Sequence, residues 1–282
     1  MKYKLIALDV DGTLVGPDSI VPPELVDAVA QVEQAGICVC LCTGRSFVET
    51  LPVWKQLSLG TPCEPMILIG GAMVSEPLTG RTLYQKPIPR EFAVEYSEAL
   101  KAEGYSSSII LDAWRHGLDY IRVEGKDSAI VEARWFSQMN VKVRHVAHLS
   151  ELPDMPTALR INAVAEPAAG EALAEKLAAQ FAGRLNIHSI FAPNYGVTVV
   201  EAFCITSSKW AGLMYVAQTR MIPPAEIIAV GDDVNDLPML RAAGLGVAMP
   251  QAKDSVKSAA KAVAEPNLAT FLRRIAAENN AD

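Results

Sequence analysis

The sequence predicts an α/β protein, a parallel-sheet core into which a second, α+β domain is inserted. Three observations carry this reading. Apolar strand-like runs alternate with amphipathic stretches near both chain ends, as in KLIALDV, ICVCLC, PMILI and EIIAVG. In the middle, neighbouring strand-like runs such as SIILD and LDYIRVE are joined by a short turn, which marks antiparallel hairpins. The 282 residues are 50% hydrophobic and 20% charged, enough for one large domain or two ordinary ones with sizeable cores.

The first strand, residues 4–10, is nearly all apolar, as a strand covered on both faces must be. A helix follows at about 23–35, where Leu25, Val26, Val29 and Val32 form one stripe between Pro22–Pro23 and Gly36. ICVCLC is a second buried strand, followed by a helix from about 46 to 57. PMILI is a third strand and ends in Gly70–Gly71. This βαβαβ order calls for a parallel sheet with right-handed crossovers.

Near residue 82 the pattern changes. A helix (90–103), two strands (106–112, 117–124) and a helix (126–139) are followed by strands at 141–147 and 158–165. A helix at 167–182 and strands at 185–192 and 196–203 complete the segment. After 207 the α/β rhythm returns with a helix at 208–219, the strand EIIAVG and a helix at 235–243 closed by Gly244. The short strand GVAM and further helices finish the chain. The core domain is assigned to 1–83 and 194–282, and the inserted α+β domain to 84–193.

A net charge of −7 with no Lys/Arg run excludes a nucleic-acid footprint and disfavours an anionic membrane surface as partner. The apolar run after Met1 is cut by Asp9 and Asp11 too early for a signal-peptide core, and no run approaches the ~18 apolar residues of a membrane span. The expected location is cytoplasmic. Cys38, Cys40 and Cys42 alternate on one strand and read as small buried hydrophobes in a reduced compartment. There is no GxxxxGK[ST] or GxGxxG run for a nucleotide. His145 and His148 read as ordinary surface or partly buried residues. Trp114–Arg115–His116 reads as a hairpin tip, either plain surface or a contact for a leaving group.

Four places carry candidate chemistry, each where a core strand ends or a helix begins. Asp9-Val10-Asp11-Gly12-Thr13 runs an apolar strand into two carboxylates that lean the same way. Such a pair makes a hard oxygen site suited to Mg²⁺, although Asp-Gly is also a common turn. Thr43-Gly44-Arg45 offers a hydroxyl and backbone amides to a phosphate oxygen, and a simple helix cap by Thr43 or Ser46 explains it equally well. Lys209, after Thr206-Ser207-Ser208, is by itself a solvated lysine and gains interest only from its company. Gly231-Asp232-Asp233-Val234-Asn235-Asp236 again closes an apolar strand with carboxylates. Two such clusters at strand ends make a metal site the better reading.

DVDGT, TGR, a lysine and GDDVNDLPML, in this order, resemble the haloacid dehalogenase superfamily of phosphatases. The inserted domain between TGR and the lysine, and the tail GLGVAMPQAKDSVKSAAKAV, resemble its Cof-type subgroup with a large C2-type cap. The resemblance implies a Rossmann-like core and an inserted α+β cap domain that closes over the site and supplies substrate contacts. It implies that Asp9 attacks phosphorus to form an aspartyl-phosphate. Asp11 protonates the leaving alcohol and then activates water. Mg²⁺ sits between Asp9, the Asp11 carbonyl and Asp232, with Asp236 contacting it directly or through water. Val10, Thr43, Gly44, Lys209 and Asn235 hold the phosphoryl group, and Asp233 ranks below Asp232. The physics agrees, because a carboxylate attacking a phosphate dianion needs a divalent metal and an ammonium to offset repulsion.

Two positions depart from the subgroup's pattern, Gly70-Gly71-Ala72 for Asn-Gly-Ala and Pro250-Gln251-Ala252 for Gly-Asn-Ala. Both bear on substrate preference rather than on hydrolysis. The expected activity is Mg²⁺-dependent hydrolysis of a small phosphorylated metabolite, such as a sugar phosphate. A phosphomutase uses the same residues, and a non-catalytic phosphoester-binding protein remains the alternative of another class. A dehalogenase is disfavoured, because the resemblance implies that Asp11 and the Asp232/Asp236 cluster belong to the phosphoryl-transfer branch.

Overall fold

The computed structural model describes residues 2–60, 63–125, 141–152, 154–192 and 196–281. The chain opens with β1 (Leu5–Leu8), buried at every position. Helix α1 (Pro23–Gln34) begins with proline in its first turn and buries Leu25, Ala28, Val29 and Val32. After β2 (Cys38–Leu41), α2 (Phe47–Gln56) starts on a capping box in which the Ser46 amide and hydroxyl both donate to Glu49 Oε2, at 2.9 and 2.6 Å. Then β3 (Met66–Leu68), β4 (Met73–Ser75) and β5 (Thr82–Gln85) form a three-stranded sheet. The sequence pattern marks only the first of these. The other two are short and separated by the turn-rich SEPLTGR, so they show no clear alternation.

The inserted segment comprises α3 (Arg90–Ala102), β6 (Ser107–Leu111), α4 (Ala113–His116), β7 (Tyr120–Val123), β8 (Val143–Val146), β9 (Ala158–Ala165), α5 (Pro167–Gln180), β10 (Leu185–Ala192) and β11 (Val197–Cys204). Its six strands form one sheet in the order β10-β11-β9-β6-β7-β8, antiparallel except for β7 with β8. Tyr96, Leu100, Ile109, Ile161, Leu177 and Phe181 anchor a core of its own. The expected hairpin tip at Trp114 is a helical turn, because Asp112 caps it by accepting from the Arg115 amide and Gly117 ends it in the left-handed region. The expected strand from 117 consequently starts at Tyr120. The expected helix at 126–139 lies outside the described residues.

The chain continues with α6 (Lys209–Thr219), β12 (Ile227–Gly231), α7 (Leu237–Ala242), β13 (Leu245–Ala248), α8 (Asp254–Lys257), β14 (Ala262–Val263) and α9 (Leu268–Ala281). The core sheet has the order β14-β13-β12-β1-β2, all parallel. This is the α/β class expected from the strand–helix rhythm.

Two compact units result. One runs to Tyr84 and resumes at Ser208, and the other is Gln85–Ser207. The first boundary lies one residue from the expected 83/84. The second falls at 207/208, where the sequence reading placed it at 193/194. The reason is pairing: β11 is hydrogen-bonded to β10 from Leu185↔Cys204 to Ala192↔Val197, and to β9 on its other side. A strand in the middle of that sheet cannot belong to the core. Among the described residues, no helix is long and apolar enough to cross a membrane. All five cysteines are free, with Cys40 and Cys42 buried as small hydrophobes and Cys38 partly so.

Candidate active site

Register places the site. Leu8 of β1 lies opposite Val230 of β12 and Leu41 of β2. The residues that follow these strands, Asp9, Asp232 and Cys42–Thr43, therefore leave the sheet at one carboxyl edge, where α/β proteins bind ligands. The Asp9 amide donates to Val230 O at 3.0 Å and the Cys42 amide to Leu8 O at 2.9 Å, so parallel pairing continues to the edge.

At that edge lies a buried charge cluster. Lys209 Nζ donates to Asp9 Oδ1 at 2.5 Å and to Asp236 Oδ1 at 2.6 Å. Ser208 caps α6 by accepting from the Ala211 amide, which fixes Lys209 as the first helical residue. Asp236 Oδ2 accepts from the amides of Asp232 and Asp233, at 2.9 and 3.1 Å. Asp236 thus shapes the turn that carries Asp232. Carboxylate oxygens of Asp9, Asp232 and Asp236 lie within 4.8 Å of one another.

The electrostatics follow from this crowding. Burial pushes the Asp9 carboxyl well above the usual range; Lys209 opposes the rise, while Asp236 and Asp232 add to it. Asp232 is pushed up to about 6, first by burial, then by Asp236 and Asp233. Burial works against the Lys209 charge, but Asp236 and Asp9 outweigh it and hold the ammonium above its ordinary pKa. Three carboxylates facing one ammonium leave an excess of negative charge. All three are hard oxygen donors, so the set fits Mg²⁺.

The other sequence-derived candidates surround this cluster. Val10 is buried, and its carbonyl accepts from the amides of Thr13, Leu14 and Val15 in the turn after β1. Thr43 is buried at the end of β2, where its hydroxyl accepts from the Arg45 amide at 3.1 Å. Its hydroxyl proton is left to point elsewhere. Gly44 is half-buried beside it. Asn235 is half-buried in the turn Val234–Asp236 that precedes α7. Asp11 projects from the turn and is gripped by Arg45, whose Nε and Nη2 donate to its two oxygens at 2.9 and 2.6 Å.

Several contributors stand out in the sequence only as members of longer motifs, with no role of their own. Arg45 draws attention only as part of TGR. Thr13 Oγ1 approaches Asp232 Oδ1 at 3.5 Å. Gln251 Nε2 donates to the Gly12 carbonyl and ties the loop after β13 to the turn after β1. Two glycines permit the close approaches. Gly12 has φ +74°, and a Cβ there would lie 2.2 Å from Asp232 Oδ2. Gly71 has φ +88°, and a Cβ would lie 1.9 Å from the Ser208 carbonyl, where α6 delivers Lys209. Gly71, the position of this segment that keeps the family's glycine, therefore has a packing role.

Comparison with known proteins shows the family. The haloacid dehalogenase-like hydrolase family profile matches residues 6–269. The chain is 28% identical to the 5-amino-6-(5-phospho-D-ribitylamino)uracil phosphatase of Bacillus subtilis, covering 96% of this chain and 97% of that one. It is 27% identical to the pyridoxal phosphate phosphatase of Escherichia coli, covering 95% of each. Among solved structures it is similar to a haloacid dehalogenase-like hydrolase from B. subtilis, with a TM-score of 0.78, 25% identity and coverage of 97% and 100%. With a profile match over nearly the whole chain, the chain belongs to the haloacid dehalogenase-like hydrolase family, in its Cof-type subgroup.

Proposed function

We infer that this protein is a phosphatase that hydrolyses small phosphomonoesters through an aspartyl-phosphate on Asp9. The observation that carries the reading is the buried Asp9–Lys209–Asp236 arrangement with Asp232 beside it, at a strand edge. Phosphatase names among the relatives support it.

The geometry supports the following chemistry. Lys209 occupies Asp9 Oδ1, which leaves Oδ2 to attack phosphorus. As that bond forms, the bond from phosphorus to the ester oxygen breaks, and the leaving oxygen takes a proton from Asp11. Asp11 then takes a proton from water, whose oxygen attacks phosphorus; the Asp9–phosphorus link breaks and orthophosphate leaves. The Thr43 hydroxyl, the Gly44 amide, the Val10 backbone, Asn235 and the Lys209 ammonium hold the phosphoryl oxygens. Asp9, Asp232 and the Asp11 carbonyl, with Asp236 behind them, would hold Mg²⁺. Bound there, the ion supplies Lewis-acid stabilisation of charge on the transferring oxygens.

Phosphate release from a panel of phosphorylated metabolites, with Mg²⁺ and with EDTA, tests the reading. Release that needs Mg²⁺ and vanishes in Asp9→Asn is the expected result. Isomerised sugar phosphate without free phosphate would replace hydrolysis by a mutase reaction. Metal binding with no turnover of any phosphoester would leave a binding protein.

A further inference from the structure

Arg45 makes a contact that the proposed chemistry does not use. Its guanidinium forks onto both oxygens of Asp11, with Nε at 2.9 Å and Nη2 at 2.6 Å. The two partners differ in setting. The Asp11 side chain is 60% exposed, whereas that of Arg45 is only 18% exposed. Arg45 is itself braced, since Nη2 also donates to Ser19 Oγ at 2.9 Å and Nη1 to the Glu49 carbonyl at 3.4 Å. Its backbone is tied on both sides, the amide to Thr43 Oγ1 and the carbonyl to the Ile69 amide at 3.0 Å. Burial works against the Arg45 charge, and the hydrogen bond to Asp11 together with the charges of Asp11, Glu49 and Asp9 outweighs it.

An exposed aspartate on a turn samples several rotamers. The backbone around Asp11 is already fixed by amides donated to the Val10 carbonyl, so only the side chain is left to choose. A braced, planar fork removes that choice, because guanidinium and carboxylate match in only a narrow range of orientations. The fork also suits a group that must act twice. When one Asp11 oxygen carries a proton to the leaving group, the other still accepts from the guanidinium and the side chain stays anchored.

We propose that Arg45 is the positioning residue for Asp11, holding its carboxyl in the orientation from which it serves the leaving oxygen and then water. This rests on the acid–base reading of Asp11 given above. Arg45 also joins two parts of the site: its amide engages the Thr43 hydroxyl and its side chain engages Asp11.

The test compares two substrates that differ in their need for a proton. The alkoxide of β-glycerol phosphate leaves poorly without one, whereas para-nitrophenolate leaves readily. Values of kcat/KM report the steps through departure of the alcohol. Arg45→Ala is expected to lower kcat/KM for β-glycerol phosphate by about 10- to 100-fold, part of the 10²–10⁴ range of general acid catalysis. For para-nitrophenyl phosphate the loss is expected to be under about threefold on the same scale. Arg45→Lys, which keeps the charge but loses the fork, should recover part of the selective loss. Ser19→Ala, which only loosens the brace, should show a smaller loss of the same kind. Equal losses on both substrates, or none, in a variant with unchanged melting temperature would overturn the assignment. Asp11→Asn in the same assay separates the two layers. A leaving-group-selective loss there without one in Arg45→Ala sinks only the role of Arg45. A uniform loss, or none, in Asp11→Asn sinks the acid role and the positioning role together.

Discussion

Lys209 Nζ lies 2.5 Å from Asp9 Oδ1, although the two residues are 200 positions apart and both side chains are almost fully removed from solvent. The same ammonium reaches Asp236 at 2.6 Å. One cation therefore holds together two carboxylates that would otherwise repel one another.

Removing that cation is expected to cost both stability and rate. Lys209→Ala leaves Asp9 and Asp236 buried without their partner, a change that typically costs about 3–5 kcal/mol. Turnover should fall by at least about 10²-fold, the usual effect of deleting one charge-stabilising donor. Mg²⁺ should restore part of the lost melting temperature, since it compensates the same carboxylates. Thermal denaturation with and without Mg²⁺, alongside kcat, checks both effects.

Asp9→Asn separates folding from chemistry in the opposite sense. Burial already disfavours the Asp9 charge. A neutral amide should therefore leave the metal-free protein at least as stable as the wild type. Turnover is expected to drop by at least about 10⁴-fold, as for other nucleophile deletions. A melting curve and a phosphate-release assay on the same sample decide it. Wild-type activity would end the nucleophile assignment.

The raised pKa values set a pH dependence. Asp232 is pushed up to about 6 in the fold, against 3.8 for a free aspartate, and Asp9 is raised as well. The folded state then binds protons more tightly than the unfolded chain. The metal-free protein is expected to lose stability as pH rises from about 4 to about 6, by roughly 1–2 kcal/mol for a partly exposed Asp232. Mg²⁺ competes with those protons, so its effect has the opposite trend. The shift in melting temperature caused by Mg²⁺ should be small near pH 5 and larger near pH 7.5 (both about one to two units from the Asp232 midpoint). A Mg²⁺ shift of equal size at both pH values would contradict the electrostatics of the cluster.

Gly12→Ala tests the packing behind the metal-ligand geometry. The new Cβ would meet Asp232 Oδ2 at 2.2 Å, on a residue with φ +74°. The left-handed backbone alone costs about 1–2 kcal/mol for a residue with a side chain. Asp232 should also be displaced, so Mg²⁺ affinity is expected to fall by at least about tenfold, equivalent to ~1.4 kcal/mol. Calorimetric titration of Mg²⁺ into the variant measures it. Unchanged affinity would mean that Asp232 does not ligate from this position.

Much of the architecture was legible in the sequence because it rests on local patterns. LIAL and IIAVG are buried runs that end in carboxylates, and an apolar strand closed by charge has few explanations other than an edge site. The Ser46–Glu49 capping box and the proline that starts α1 mark helix beginnings within three or four residues of chain. The order of strands and helices was enough to predict a parallel core with an insertion.

Other features depended on contacts between distant residues, and for those only the tertiary structure decided. A lysine after a serine-rich turn looks like any surface lysine until α6 packs its first residue over Gly71 and buries the ammonium against Asp9. The Arg45 fork needs two turns, from different strands, to meet at one sheet edge. The boundary at 207/208 follows from β11 pairing on both sides, and its alternating pattern suits either sheet equally well. The physical reason is common to all three. Periodicity and caps are energies of neighbouring residues, whereas burial, register and ion pairing arise only after distant strands have aligned, with each alignment bringing its charges to a common edge.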